Sequence, residues 1–274
     1  MASIVWAAAT AHTGAMMRAP AGDTGDLERA QRVFAGFRTL GASLKAARPD
    51  VLIVIATDHF LSFDYTVLPI FAVGTGERFD GWGEFGVPKR DYQGRAAFGA
   101  AVHAGMVGAG FDLVSARDLK LDHSFSCPLQ LLLDGWDLPI LPIYVNCTIE
   151  PLPTLSRCLD FGAALGEVVR NQRVLERVAI VGTGGLSHWV GMPSTGTINR
   201  EFDQRFLDLF TAGRCEDIAR WDSDEVIHSA GNGAAEIRNW IMAAAAARSK
   251  GARVLAYEPV AAWNTGIGVT ELLL

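Results

Sequence analysis

The chain has 274 residues, which suits one large α/β domain, and hydrophobic residues make up 50% of it, enough for a substantial core. The formal net charge is −6 and no basic run is present, which argues against nucleic acid as a partner. No stretch reaches the roughly 18 consecutive apolar residues of a membrane span, so no membrane partner is expected. The N-terminus also lacks the basic and apolar regions of a signal peptide, and the expected localisation is cytoplasmic.

The cysteines also favour a cytoplasmic protein. None of the four is spaced as Cys-x-x-Cys, which disfavours a zinc ribbon, and no disulfide framework is recognisable. Because thiols stay reduced in the cytoplasm, we expect free cysteines throughout. The residues concerned are Cys127, Cys147, Cys158 and Cys215.

Apolar runs typical of strands alternate with amphipathic patterns typical of helices. Strands are predicted at residues 3–9, 50–56, 65–73 (broken at Pro69), 138–145, 177–182 and 253–257. Helices are predicted at residues 27–48, 93–109, 154–171, 199–212 and 231–248. This alternation predicts an α/β fold, layered α/β/α with a central mixed sheet, in a single catalytic domain over residues 1–274. The glycine-rich residues 74–92 are expected to form a loop, either mobile or plain surface.

Four of the six histidines stand where an α/β fold places its chemistry, at the end of an apolar strand or in the loop beyond it. Open α/β sheets bind ligands outside the carboxyl ends of their strands, so one polar site built from separate segments is predicted. Imidazole is the commonest metal ligand and the commonest acid/base group near neutral pH. The four residues are His12, His59, His123 and His188. The other two, His103 and His228, are expected on a helix surface and in a loop or helix end, outside the site.

Two histidines and one carboxylate form the facial triad of non-haem Fe(II) enzymes, which leaves one face of the metal open for substrate and dioxygen. Spacing alone does not decide which carboxylate completes the set. Asp58 adjoins His59, but neighbours along a strand point to opposite faces. Glu236 follows Gly231-Asn232-Gly233, where glycine permits close backbone approach, yet a glutamate in a first helical turn is also favoured by the helix dipole.

The longest motif is Gly182-Thr183-Gly184-Gly185-Leu186-Ser187-His188, followed by Ile-Asn-Arg-Glu-Phe-Asp at residues 198–203. It resembles the class III extradiol ring-cleavage dioxygenases, and among them the catalytic β-subunit of protocatechuate 4,5-dioxygenase and its relatives. The resemblance extends in order from residue 4 to residue 270. It also includes Ala11-His12, Asp58-His59 with Ser62-Phe63-Asp64, Asp122-His123, residues 231–236 and residues 263–268.

This resemblance implies an Fe(II)-dependent extradiol dioxygenase, which inserts both atoms of O2 into a catechol-type aromatic diol and opens its ring. It implies that Fe(II) is held by His12, His59 and Glu236. It further implies that His188 is the acid/base group and that His123 lies near the bound oxygen. The substrate would be protocatechuate-like, gallate-like or another substituted catechol.

The resemblance also bears on the substrate contacts and on what covers the site. It implies substrate contacts from Thr13, Asn264 and Thr265. The prototype places its catalytic chain beside a small helical lid subunit, and gallate-cleaving relatives carry an equivalent at the C-terminus; this chain ends at Leu274, soon after the last shared motif. We therefore expect either the 74–92 segment or a neighbouring subunit to close the site in a homo-oligomer, a dimer, with a separate small lid subunit as the alternative. The side chains expected to serve as lid or contact are Trp82, Phe85 and Val87.

Other functions fit the residues less well. Gly182-x-Gly184 follows a strand as in a Rossmann dehydrogenase, but Ser187 occupies the third glycine position of that fingerprint. The same segment does not match the G-x-S-x-G elbow of serine hydrolases. A zinc hydrolase could use the same ligand set. A 2-aminophenol-cleaving dioxygenase and a non-catalytic binding protein of the same fold remain the alternatives.

Overall fold

A computed structural model describes residues 2–18 and 24–274. The strands are β1 (Ser3–Thr10), β2 (Val51–Ala56), β3 (Phe71–Gly74), β4 (Arg78–Gly81), β5 (Arg90–Gln93), β6 (Val114–Ala116), β7 (Lys120–Leu121), β8 (Ile140–Val145), β9 (Arg177–Thr183), β10 (Ala252–Val260) and β11 (Thr265–Leu272). The helices are α1 (Thr24–Ala47), α2 (Ala96–Gly108), α3 (His123–Leu133), α4 (Leu155–Asn171), α5 (Arg200–Thr211), α6 (Cys215–Ile218), α7 (Ser223–Ala230) and α8 (Ile237–Ala247). Short 3₁₀ turns span Gly14–Met17, Asn232–Glu236 and Ala261–Trp263.

The main sheet has eight strands in the order β10-β11-β1-β9-β2-β8-β3-β6. Its central strands β1, β9, β2 and β8 run parallel, while β11 and β3 pair antiparallel with their inner neighbours. Helices α1 and α3 pack on one side of it, and α2, α4 and α8 on the other. The predicted layered α/β/α fold with a central mixed sheet is therefore confirmed, and the single-domain assignment stays a prediction.

The parallel strands bring the histidines to one edge of the sheet. All six residues of β2 are buried, as expected for a strand covered on both faces. Because β1, β9 and β2 are neighbours that point the same way, the loops after them meet at their carboxyl ends. These loops carry His12, His188 and His59, respectively.

Two predictions between residues 65 and 92 are wrong. The strand predicted over residues 65–73 begins only at Phe71, because Asp64 closes a turn by accepting a hydrogen bond from the Thr66 backbone N–H at 2.7 Å. The segment 74–92 is not simply a loop. Within it β4 pairs with β5 and, on its other side, with β7, which forms a second, three-stranded sheet.

Further elements differ from the sequence prediction. The helix predicted over residues 231–248 starts as a 3₁₀ turn and becomes α-helical at Ile237. Helix α3 was not predicted and contains Pro128, a residue that usually ends helices. Strand β11 was not predicted either, because Gly266 and Gly268 weaken its strand pattern.

The four cysteines are free, as predicted, and all four are buried. Among the described residues, no helix combines the length and the apolar character that crossing a membrane requires.

Helix α8 docks directly on β9, and this contact places the turn that precedes α8 above the end of the strand. The Asn239 side-chain amide donates to the Thr183 carbonyl at 2.7 Å, and the Trp240 indole donates to the Gly184 carbonyl at 3.0 Å. A Cβ atom on Gly182 would lie 2.2 Å from the Asn239 carbonyl oxygen. The approach of helix to strand therefore requires glycine at this position.

We predict that Gly182→Ala destabilises the protein by about 1–3 kcal/mol, because the added methyl group forces α8 away from β9. Urea unfolding followed by circular dichroism measures the change. Gly108→Ala is the matched control, since a Cβ there meets nothing within 4 Å. It should leave stability unchanged or raise it by up to about 1 kcal/mol, as expected for glycine replaced in a helix. Equal unfolding midpoints for Gly182→Ala and the unmodified protein would contradict the packing argument.

Candidate metal centre and active site

The carboxylate of Glu236 faces two of the histidines. Its Oε1 lies 3.8 Å from His12 Nε2 and 3.6 Å from His59 Nε2. Its Oε2 accepts a hydrogen bond from the Gly185 backbone N–H at 2.6 Å, whereas the buried Oε1 has no hydrogen-bond partner among the described residues. A buried acceptor without a partner is costly unless a cation or donor satisfies it, so this atom fits a metal ligand.

His123 joins the same cluster. The ligand nitrogens of His12, His59 and His123 lie within 4.8 Å of one another. The rings of His59 and His123 stack with their centroids 4.3 Å apart. His12 and His59 are thus common to two possible ligand sets, which differ in whether Glu236 or His123 is the third ligand.

The first two histidines are held so that Nε2 remains available. The ionised Asp122 carboxylate accepts from both the His59 backbone N–H (2.7 Å) and its ring Nδ1 (2.8 Å). The Thr183 hydroxyl donates to the Ser124 carbonyl at 2.7 Å, so it can only accept from His12 Nδ1, 3.3 Å away. Each ring in its neutral form therefore carries its hydrogen on Nδ1, which leaves the Nε2 lone pair on the side that faces Glu236.

His188 is confined between two backbone segments. Its Nδ1 lies 3.0 Å from the Leu186 carbonyl oxygen, which can only accept, so neutral His188 carries its hydrogen on Nδ1 and its lone pair on Nε2. A Cβ on Gly185 or Gly233 would lie 2.1 Å or 2.0 Å from the His188 ring. The absence of a side chain at these two glycines therefore leaves room for the His188 ring.

The environments of the histidines move their pKa values in different directions. Burial, reinforced by the neighbouring His123 and His59, lowers the pKa of His12 well below its usual value. Burial also lowers the pKa of His188. For His59, burial alone would lower the pKa, but the charge of Asp122 and its hydrogen bond raise it to about 9.

The predicted substrate contacts lie in two loops at the edge of the sheet. Thr13 adjoins His12 and caps the first 3₁₀ turn, where its hydroxyl accepts from the Ala15 N–H at 3.3 Å. Asn264 is exposed and has a left-handed backbone conformation with φ of 56°. Thr265 is buried and its hydroxyl donates to the Trp263 carbonyl at 3.1 Å. Substrate contact by Thr13, Asn264 and Thr265 stays a prediction.

Sequence reasoning missed the residues that support the histidines. Asp122 was noted only as part of a motif, and Glu84 was not singled out, although its Oε1 lies 2.7 Å from His123 Nδ1. Asp203 is buried and accepts from the Ser187 N–H at 2.7 Å, which fixes the residue before His188. Burial raises the pKa of Asp203 to about 6. Asp122 and Asp203 both stand in motifs recognised in the sequence, whereas Glu84 gave no signal there.

Asp58 has a structural role, and His103 and His228 lie on helices, away from the strand ends. Asp58 accepts hydrogen bonds from the backbone N–H groups of Leu61, Ser62 and Phe63, so its carboxylate closes that turn. His228 is exposed in the last turn of α7. His103 is half-buried on α2, with Nε2 3.1 Å from the Leu113 carbonyl oxygen.

Histidines and a buried carboxylate at the carboxyl edge of a parallel sheet could hold a metal ion, as in the site of a metal-dependent enzyme. Comparison with known proteins gives the family. The family model described as the catalytic LigB subunit of aromatic ring-opening dioxygenase matches residues 6–268. The chain belongs to this family of extradiol aromatic ring-opening dioxygenases.

Enzymes described as 2,3-dihydroxyphenylpropionate/2,3-dihydroxicinnamic acid 1,2-dioxygenases are similar to the chain. The one from Rhodococcus globerulus is 27% identical, and the match covers 82% of this chain and 86% of that enzyme. One from Klebsiella pneumoniae is 28% identical, and the match covers 88% of this chain and 90% of that enzyme. An uncharacterized Escherichia coli K12 protein of known crystal structure shares the fold, with a TM-score of 0.58 over 96% of this chain and 99% of that one at 11% identity.

We predict that His12 contributes to acid destabilisation of the metal-free protein. Its folded pKa is lowered, so below the usual value of 6.5 the unfolded chain takes up a proton that the folded protein does not. Folding stability then falls by about 1.4 kcal/mol per pH unit from this residue alone. His12→Asn should remove that slope between pH 6.5 and 5 in urea unfolding experiments. His228→Asn, at an exposed position, should keep it; identical slopes for both variants would contradict the assignment.

Proposed function

We propose that the chain is an Fe(II)-dependent extradiol dioxygenase that cleaves a substituted catechol, with 2,3-dihydroxyphenylpropionate as the first substrate to test. The observation that carries the proposal is that Glu236 Oε1, without a hydrogen-bond partner among the described residues, faces Nε2 of His12 and His59. Two imidazoles and one carboxylate form the donor set typical of non-haem Fe(II) oxygenases. The substrate follows from the related enzymes, which carry that compound in their names.

Charge favours Glu236 over His123 as the third ligand. With His123 in the set, three neutral rings would hold the ion, and Glu236 would remain beside it as a buried carboxylate outside the coordination sphere. With Glu236 in the set, its negative charge offsets part of the charge of the ion, and both charges gain a partner in a buried place. His123 then lies beside the metal, where its Nε2 can interact with oxygen.

The proposed metal ion and His188 would have separate roles, in electron transfer and in proton transfer. Bound Fe(II) would supply the one-electron chemistry that allows dioxygen to react with an aromatic diol. Because its pKa is lowered by burial, His188 is neutral at pH 7 and its Nε2 can accept a proton from a substrate hydroxyl. The same nitrogen can return that proton when the ring opens.

The cover of the site comes from the 74–92 segment together with a second copy of the chain, with a separate small subunit as the alternative. Trp82 and Phe85 are 45% and 43% exposed, which leaves apolar surface for such a contact. Val87, which was also expected to serve as lid or contact, is only 3% exposed and belongs to the core, so that prediction is wrong. A dimer is the commonest closed assembly.

Ring cleavage itself tests the function. Protein purified without oxygen and loaded with Fe(II) should consume one O2 per 2,3-dihydroxyphenylpropionate and form a yellow ring-opened acid, measured with an oxygen electrode and by absorbance. Protocatechuate, gallate and 2-aminophenol complete the panel. Oxygen uptake with none of these, or a muconate from cleavage between the hydroxyl groups, would contradict the proposal.

The ligand set can be tested by metal retention. We predict that Glu236→Ala loses nearly all bound Fe(II) and all activity, because three protein ligands leave no redundancy. His123→Ala should retain iron while its turnover falls. Iron per chain, measured after anaerobic gel filtration, decides between the sets. Full iron in Glu236→Ala together with iron loss in His123→Ala would assign His123 as the ligand instead.

A third variant isolates the acid/base step. His188→Asn fits between Gly185 and Gly233, retains iron and should lower kcat by about 10²–10⁴-fold, the usual contribution of a general acid/base. Single-turnover kinetics across pH would show the loss of the ionisation that limits the unmodified enzyme at low pH. Unchanged kcat with an unchanged pH profile would remove His188 from the mechanism.

A further inference from the structure

The turn between β4 and β5 has an unusual backbone. Within the four residues 83–86, three have positive φ angles: Gly83 (81°), Phe85 (54°) and Gly86 (95°). Glycine adopts this conformation readily, but a bulky residue such as Phe85 does so only when its surroundings hold it there. The turn is held in this conformation by its contacts with residues of the candidate site.

Phe85 is held by a close fit on one side and by a histidine on the other. A Cβ on Gly14 would lie 2.4 Å from Phe85 Cδ2, so the ring occupies the space that this glycine leaves open. Its edge packs against His123, with the ring centroids 5.1 Å apart. Phe85 and the preceding residue, Glu84, therefore both contact His123.

One carboxylate oxygen of Glu84 accepts hydrogen bonds from two nitrogens of His123. Its Oε1 accepts from the His123 backbone N–H at 2.8 Å and from ring Nδ1 at 2.7 Å. Partial burial alone would raise the pKa of Glu84, but the hydrogen bonds from His123 outweigh it and the pKa lies below its usual value. An ionised carboxylate can only accept, so His123 carries a hydrogen on Nδ1.

The same arrangement occurs once more in the site. Asp122 Oδ2 accepts from the backbone N–H and the ring Nδ1 of His59 at 2.7 and 2.8 Å. The two supported rings stack almost parallel, at 21°. Glu84 therefore supports His123 in the same way as Asp122 supports His59. The Glu84 side chain is 25% exposed, whereas the Asp122 side chain is only 1% exposed.

We propose that Glu84 is a positioning residue for this reaction, which fixes the tautomer and orientation of His123 so that Nε2 faces the oxygen site. The expected effect on kcat rests on the proposed function. The tautomer of His123 follows from the geometry alone. Carboxylates that orient an imidazole in this way typically matter 10–100-fold for activity. Glu84 contacts the backbone N–H and Nδ1 of His123, so its effect is expected to pass through His123.

Two variants separate the hydrogen bond from the shape of the side chain. Glu84→Met keeps the length but cannot accept strongly, and Glu84→Gln keeps an accepting oxygen without the charge. We expect Glu84→Met to lower kcat by about 10–100-fold with KM and iron content unchanged. Glu84→Gln should recover most of that loss. Glu77→Met, which replaces an exposed carboxylate directly before β4, is the matched control and should behave as the unmodified enzyme.

The ring nitrogens provide a readout independent of turnover. Long-range ¹H–¹⁵N spectra of the metal-free protein, assigned with His123→Asn, should show hydrogen on His123 Nδ1 in the unmodified protein and in Glu84→Gln, and a shift toward Nε2 in Glu84→Met. An unchanged tautomer in folded Glu84→Met would overturn the proposal, as would loss of iron in place of turnover. If the unmodified protein cleaves no catechol, the proposed function fails, while these spectra still decide the role of Glu84.

Discussion

Hydrogen bonding at Nδ1 is the interaction on which the site depends. Each of the four imidazole rings is held from that side by a group able to accept there, so each ring in its neutral form has its lone pair on Nε2. Without these bonds the rings could flip or change tautomer, and no common centre would form. The four pairs are His12 with Thr183, His59 with Asp122, His123 with Glu84, and His188 with the Leu186 carbonyl.

The group that accepts from Nδ1 differs between the histidines, and this difference changes their pKa values. The carboxylate of Asp122 contributes a full negative charge, which outweighs burial and raises the pKa of His59. His188 faces only the dipole of a carbonyl group, so burial prevails and its pKa is lowered. A neutral ring suits a general base, while a ring backed by a carboxylate is a more basic and more firmly oriented metal ligand.

The sequence was sufficient to predict those parts of the fold and of the candidate site that depend on the local pattern of apolar and polar residues. The continuous apolar run of β2 and the strand-to-loop positions of His12 and His59 predicted the sheet edge where the site lies. The contribution of Glu84 could not be predicted, because it depends on pairing between β4 and β7 and on left-handed backbone in a turn that resembles any glycine-rich loop. Helix α3 was missed for the related reason that tertiary packing tolerates a proline that local propensity penalises.

The proposed ligands are far apart in the chain, and this has a consequence for folding. His12 lies near the start of the sequence, His59 follows the second strand of the sheet, and Glu236 lies near the C-terminal end. A single ion bound to all three would act as a cross-link that closes two long loops, so it would favour the native chain over the unfolded one. Metal loading and resistance to unfolding would then rise together, and the protein would be most open to proteases before it acquires its ion.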